Sequence, residues 1–109
     1  MTKQVRFASV LLAAICFALP TLAQNSGEAI YKQRCAMCHG PDGLAGTPTA
    51  KMMKVESFKA PSIVKESDAE LIATTKKGKG KMPEFGTKLS DSQINDVATY
   101  VSTKIAKKK

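Results

Sequence analysis

The chain has 109 residues, of which 17 are lysine or arginine and nine are acidic, so its formal net charge is +8. This length is typical of one domain with a modest hydrophobic core. The positive charge would suit nucleic acid, but no aromatic residues interleave with the lysines, which disfavours a nucleic-acid partner.

Residues 1–23 have the three parts of a secretory signal peptide. Lys3 and Arg6 give a positive start, residues 7–19 are apolar, and a region with the character of a cleavage site ends at Ala23. The apolar stretch is shorter than the roughly 20 residues that a membrane-spanning helix needs, which favours cleavage over a retained anchor. We therefore expect a protein exported to the periplasm, or otherwise outside the cytoplasm, with no membrane span after cleavage.

Residues 24–109 form the predicted mature domain. Lys3 and Arg6 leave with the signal peptide, so 15 basic and nine acidic residues remain, a net charge of +6. A domain of this size usually gains stability from a covalent staple. Cys35 and Cys38 are too close in sequence to close a useful disulfide loop, so a disulfide is not the expected staple.

The first helix is predicted over residues 25–38, with Asn25 or Ser26 as its N-cap. Near its end lies the motif Cys35-Ala36-Met37-Cys38-His39, and C-x-x-C-H is the attachment pattern of c-type haem. On a helical turn the two cysteines share one face, so both sulfurs can reach the haem vinyl groups. The histidine that follows is a residue type that serves as a proximal iron ligand.

Paired cysteines also occur in zinc sites and in thioredoxin-like redox centres. Zinc normally takes four ligands, and the mature chain offers only two cysteines and one histidine, because Cys16 leaves with the signal peptide. A thioredoxin-like motif should lie near a βαβ pattern, and the sequence has no strand or hairpin signal. Haem attachment is therefore the favoured interpretation.

The remainder of the chain predicts an all-α domain with three main helices and long loops. Turn residues fill positions 40–49, and a short helical turn is predicted over residues 50–55. Capping boxes that begin at Ser67 and Ser90 predict the second and third main helices. The second should end near Gly78. The third carries one apolar stripe, formed by Ile94, Val97, Ala98, Val101 and Ile105.

A six-coordinate iron would need a second ligand, and the sequence has no other histidine. Of the methionines beyond the leader, Met37 lies inside the attachment motif, and Met52 and Met53 are interpreted as core residues of a helix-like segment. Met82 lies in a glycine-rich loop before Pro83, which favours extended backbone at the preceding residue. Met82 is therefore the candidate second ligand.

Residues 27–105 resemble the class I cytochromes c, particularly the small soluble monohaem cytochromes of bacteria. The resemblance rests on Cys35-x-x-Cys38-His39, on Lys81-Met82-Pro83-x-Phe85 and on the helix over residues 89–101. It implies a cytochrome c fold around one covalently bound haem c, with Cys35 and Cys38 as thioethers and His39 and Met82 as the axial iron ligands.

The same resemblance implies two further contacts. Gly27 and Tyr31 of the first helix should pack against Val97 and Tyr100 of the last. A proline carbonyl, best matched by Pro48 with Pro41 as the alternative, should accept a hydrogen bond from the second ring nitrogen of the ligating histidine.

An iron whose two axial positions are occupied by histidine and methionine has no open position for a substrate and suits outer-sphere electron transfer. We therefore expect a one-electron carrier and not an enzyme. We also expect a monomer. Lysines that lead into the Met82 loop would steer it to acidic redox partners such as a membrane oxidase, reductase or dehydrogenase; they are Lys76, Lys77, Lys79 and Lys81. The alternative for these lysines is a solvated face that serves solubility. Alternatives for the function are an electron-transfer subunit of a larger oxidase or dehydrogenase, and a haem enzyme or sensor with a labile sixth ligand.

Overall fold

The computed structural model describes residues 26–107, so the predicted signal peptide lies outside the described residues. Within them the chain is helical, and its sole strand-like feature is an isolated bridge between Lys79 and Met82. The elements in order are α1 (Gly27–Ile30), a π-helical turn (Tyr31–Cys35), α2 (Ala36–His39), α3 (Pro48–Met52), α4 (Pro61–Val64), α5 (Asp68–Lys77), α6 (Asp91–Tyr100) and a second π-helical turn (Val101–Ile105). The predicted all-α class is confirmed.

The first main helix consists of α1, the π-helical turn and α2. Ser26 is the N-cap, and its side chain accepts a hydrogen bond from the Ala29 backbone N–H at 3.2 Å. The helix ends at His39, one residue later than predicted, and Gly40 is its C-cap, whose φ of +88° is a conformation that favours glycine. The attachment motif thus occupies the last turns of this helix.

Two short helices lie in the region that connects the main ones. α3 (Pro48–Met52) begins earlier than the turn predicted over residues 50–55, because the Thr47 side chain caps it by accepting a hydrogen bond from the Ala50 N–H. It also ends earlier than predicted, at Met52. α4 (Pro61–Val64) was not predicted, although it too begins with a proline.

Both predicted capping boxes are formed. The Ser67 hydroxyl accepts from the Glu70 N–H at 3.1 Å while the Glu70 carboxylate accepts from the Ser67 N–H. The same reciprocal pair starts α6 between Ser90 and Gln93. α5 ends at Lys77, and Gly78 is its C-cap with a φ of +74°. The starts of α5 and α6 and the end of α5 are therefore where the sequence predicts them.

The core forms where the first main helix crosses the last. A Cβ added at Gly27 would lie 2.9 Å from the Tyr100 Cβ and would press on the Asp96 carbonyl group, so the two backbones meet closely there. Tyr31 is fully buried, and its ring centroid lies 5.6 Å from that of Tyr100. The central cluster comprises Ile30, Tyr31, Val97, Val101 and Ile105. The helix crossing implied by the resemblance is confirmed.

All the residues of the predicted apolar stripe of the last helix are buried. The last two, Val101 and Ile105, are reached through the second π-helical turn. Across residues 26–107, no helix has the length and apolar character needed to cross a membrane.

Candidate functional site

The attachment motif lies at the C-terminal end of the first main helix. Cys35 closes the π-helical turn, and Cys38 and His39 belong to α2. Both cysteines are half-buried free thiols, and the Cys38 Sγ lies 3.9 Å from the Met53 Sδ. Burial, with a smaller effect of Cys38, raises the pKa of the Cys35 thiol to about 11. A thioredoxin-like centre needs a lowered thiol pKa, so the site does not suit thiol–disulfide exchange.

His39 has a half-buried imidazole. Burial lowers the pKa of His39 below its ordinary value, so the ring is neutral at pH 7, which is the form that binds a metal. The ring stacks on the Phe58 ring, with centroids 4.5 Å apart and an interplanar angle of 19°. Phe58 was not among the predicted site residues, because nothing in the sequence around it indicates a partner for a histidine 19 positions earlier.

The Nδ1 atom of His39 is buried and has no hydrogen-bond partner. The hydrogen bond from this nitrogen to the Pro48 or Pro41 carbonyl is therefore not formed in the structure. Pro48 instead begins α3, and Pro41 lies in the turn after Gly40. A buried ring nitrogen without a protein partner is unusual among folded proteins. Two thiols and a neutral imidazole on consecutive helical turns fit a covalently attached haem.

A buried hydrogen bond fixes the backbone just after the motif. The Tyr31 hydroxyl donates to the Gly40 carbonyl oxygen at 2.6 Å, and burial raises the pKa of Tyr31 above its ordinary value, so the hydroxyl stays protonated. The His39 carbonyl oxygen accepts from the Ala45 N–H at 2.9 Å. The end of the motif is thus held by the core on one side and by the following loop on the other.

Met82 lies in a loop over residues 78–86, which we call the Met82 loop. The Met82 N–H donates to the Lys79 carbonyl at 2.9 Å and the Lys79 N–H donates to the Met82 carbonyl at 3.1 Å, with Gly80 at a φ of +57° between them. This tight turn contains the isolated bridge between Lys79 and Met82, and the described residues form no strand. The Met82 side chain is half-buried.

Two backbone hydrogen bonds fasten the Met82 loop to the end of α5. The Phe85 N–H donates to the Thr75 carbonyl at 3.0 Å, and the Gly86 N–H donates to the Lys76 carbonyl at 3.1 Å. The Phe85 side chain is buried and anchors the loop to the protein. The position of Met82 is therefore set by α5 and not by the loop alone.

The other methionines are less suited to be ligands. Met37, within the motif, is 81% exposed, and Met53 is half-buried beside Cys38. The interpretation of Met52 as a core residue is wrong: its side chain is 75% exposed, because α3 ends there and turns that side chain away from the protein.

The lysines near the Met82 loop differ in their surroundings. Lys77, Lys79 and Lys81 are exposed. Lys76 is half-buried, and its Nζ pairs with an Asp91 carboxylate oxygen at 2.9 Å. Three of the four predicted lysines therefore present their charge to solvent, while the fourth joins α5 to the start of α6.

Several known proteins are similar to this chain in sequence or in structure. A family model described as cytochrome C oxidase, cbb3-type, subunit III matches residues 22–101. Cytochrome c6 from Aphanizomenon flos-aquae is 40% identical over 77 residues, which cover 70% of this chain and 84% of that protein. Cytochrome c6 from Synechocystis sp. is 39% identical over 75 residues, which cover 69% of this chain and 60% of that protein. The solved KustC0563 c-type cytochrome has a TM-score of 0.65 and 27% identity, with 77% of this chain and 99% of that chain covered.

Proposed function

Because the chain belongs to the class I cytochromes c, and so binds haem c covalently, we propose that it is an exported one-electron carrier with a His39/Met82-ligated iron. The observation that carries the proposal is the half-buried imidazole of His39 directly after two free, half-buried thiols at the end of one helix. In this proposal Cys35 and Cys38 form the two thioethers. The family supports an electron carrier rather than an enzyme.

The haem supplies a reversible one-electron change when bound, and the protein supplies a fixed setting for it. The motif is held by the hydrogen bond from the Tyr31 hydroxyl to Gly40, and the Met82 loop is held by the carbonyls of Thr75 and Lys76. Rigid attachment on both sides keeps structural change small as the charge changes. The soft thioether of Met82 would favour the reduced state and raise the potential.

The first test replaces the proposed second ligand. We expect Met82→Ala to abolish the methionine–iron charge-transfer band of the oxidised protein and to lower its reduction potential. Met52→Ala is the matched control, because that methionine is exposed and should leave both properties unchanged. Absorption spectra and redox titration of the purified holoproteins check the prediction. A charge-transfer band that survives Met82→Ala would show that another residue is the ligand.

The proposed partners are acidic redox proteins. Exposed Lys77, Lys79 and Lys81 precede Met82 along the chain and would attract an acidic surface to this side of the protein. Export to the periplasm as a monomer would let the protein diffuse between a donor and an acceptor, such as a membrane dehydrogenase or reductase and an oxidase.

A second candidate function is that of an electron-transfer subunit in a larger oxidase. It is favoured by the description of the matching family model, which names an oxidase subunit. Gentle cell fractionation distinguishes the two: a carrier leaves the cell with the other periplasmic proteins, whereas a subunit co-purifies with a detergent-solubilised membrane complex.

A further inference from the structure

Phe58 lies in the connection between α3 and α4, and its ring lies almost parallel to the imidazole of His39. The centroids are 4.5 Å apart and the planes differ by 19°. This arrangement leaves the imidazole little room to rotate about its Cβ–Cγ bond, because a tilted ring would collide with the phenyl face.

The Phe58 ring is itself held from several directions. Its backbone N–H donates to the Gly43 carbonyl at 2.9 Å, and a Cβ added at Gly43 would come within 2.9 Å of the Phe58 Cδ2. The ring centroid lies 6.3 Å from that of buried Tyr31, and the side chain packs on the central cluster. The position of the Phe58 ring is therefore fixed by its packing against the crossing of the first and last helices.

Histidine ligands are usually oriented by a hydrogen bond from the second ring nitrogen to a carboxylate or carbonyl. The Nδ1 of His39 has no such partner in the structure. The structure instead places the phenyl ring of Phe58 against the face of this imidazole. We propose that Phe58 is a positioning residue that sets the plane of the His39 imidazole relative to the haem.

This inference rests on the proposed ligation of iron by His39. If His39 is a ligand, the direction of its ring plane, together with the orientation of the second ligand, determines how unpaired spin is distributed over the four pyrroles of the oxidised haem. The proton NMR shifts of the four haem methyl groups report that distribution. They respond to the plane of the imidazole and do not follow the overall stability of the protein.

The test compares Phe58→Leu, which keeps an apolar side chain without a flat face, with Phe58→Tyr, which keeps the aromatic face. For the oxidised holoprotein we expect Phe58→Leu to change the order and spread of the haem methyl shifts. Phe58→Tyr should retain the pattern of the unsubstituted protein. If Phe58→Leu does not accumulate as holoprotein, Phe58→Ile carries the same expectation.

Ile94→Ala is the control for stability, because Ile94 is fully buried in α6 and makes no ring contact with His39. It should lower the thermal midpoint and leave the methyl pattern unchanged. A pattern unchanged in Phe58→Leu, with only a lower midpoint, would reduce Phe58 to an ordinary core residue and overturn the inference. An unsubstituted protein without low-spin, histidine-ligated iron would instead overturn the proposed function.

Discussion

At Gly27 the absence of a side chain decides how closely two helices meet. The backbone of α6 passes so near that an added Cβ would press on the Asp96 carbonyl and lie 2.9 Å from the Tyr100 Cβ. We expect Gly27→Ala to lower the free energy of unfolding of the holoprotein by about 2 kcal/mol or more, as overpacking does. Denaturant titration followed by the haem absorbance measures this.

Gly46→Ala is the control for that substitution. A Cβ at Gly46 would meet nothing within 4 Å, so the change should cost less than about 0.5 kcal/mol. Equal effects of the two substitutions would mean that the close approach at Gly27 contributes nothing specific to the fold.

The sequence was most informative about residues whose role follows from local chemistry, and least about those defined by distant partners. The order of Cys35, Cys38 and His39 indicates haem attachment without any knowledge of the fold. Phe58 carries no such signal, because its contact with His39 depends on how the connecting loop returns to the motif. The residue type of Met52 predicts a core position, yet its side chain at the end of α3 is exposed.

The end of α5 and the Met82 loop act as one element. Gly78 has a φ of +74°, and a Cβ added there would lie 2.6 Å from the Met82 carbonyl oxygen and 2.9 Å from the Glu84 nitrogen. We therefore expect Gly78→Ala to displace the loop, to weaken or abolish the methionine–iron charge-transfer band and to lower the thermal midpoint. Absorption spectra of the oxidised protein during heating report both effects.

Gly80→Ala separates backbone strain from steric collision. Gly80 also has a positive φ, of +57°, but an added Cβ would meet nothing within 4 Å. This substitution should cost about 1 kcal/mol through strain alone and keep the charge-transfer band. Loss of the band in Gly80→Ala as well would show that any change of backbone preference in the turn releases Met82.

Among the structural elements, the features that could be predicted from the sequence are those that neighbouring residues determine. The capping boxes at Ser67 and Ser90 involve residues only three positions away, so the local sequence predicts the starts of α5 and α6. The two π-helical turns and the pairing of Lys79 with Met82 were not predicted. A π-helical turn has no distinctive composition, and the reciprocal bonds of the turn depend on its attachment to α5.

For the whole molecule, the distribution of positive charge leads to a prediction about association. We expect Lys77→Glu, Lys79→Glu and Lys81→Glu in combination to slow electron transfer with an acidic redox protein on the order of 10-fold at low ionic strength. The difference should shrink as salt is added, because salt screens exposed charges. Stopped-flow measurements over a range of ionic strengths test this.

The matched control makes the same change of charge at Lys59, Lys65 and Lys104, which are also exposed. If electron transfer depends on a local docking surface, this control should slow the reaction less. Equal slowing in both variants would favour the alternative, in which the lysines form a general solvated face and only net charge matters.

The fold as a whole was predicted through the resemblance to the class I cytochromes c, and its central helix crossing is confirmed by the contacts of Gly27 and Tyr31. The position of the signal peptide and the identity of the iron ligands remain predictions. Composition alone would have given only a basic, single-domain helical protein, because the crossing depends on pairs of residues about 70 positions apart.

The π-helical turn over Tyr31–Cys35 has a consequence for the direction in which the attachment motif faces. In a regular helix each residue advances the side-chain direction by about 100°, so a turn that accommodates one more residue resets that direction. The π-helical turn therefore sets the direction of the Cys35 thiol relative to the buried ring of Tyr31. A regular helix that kept this extra residue would turn the attachment motif by about 100° about the helix axis, whereas the π-helical turn keeps the motif facing the same way. The wide turn thus lets the packing of Tyr31 and the direction of the C-x-x-C-H motif be satisfied together.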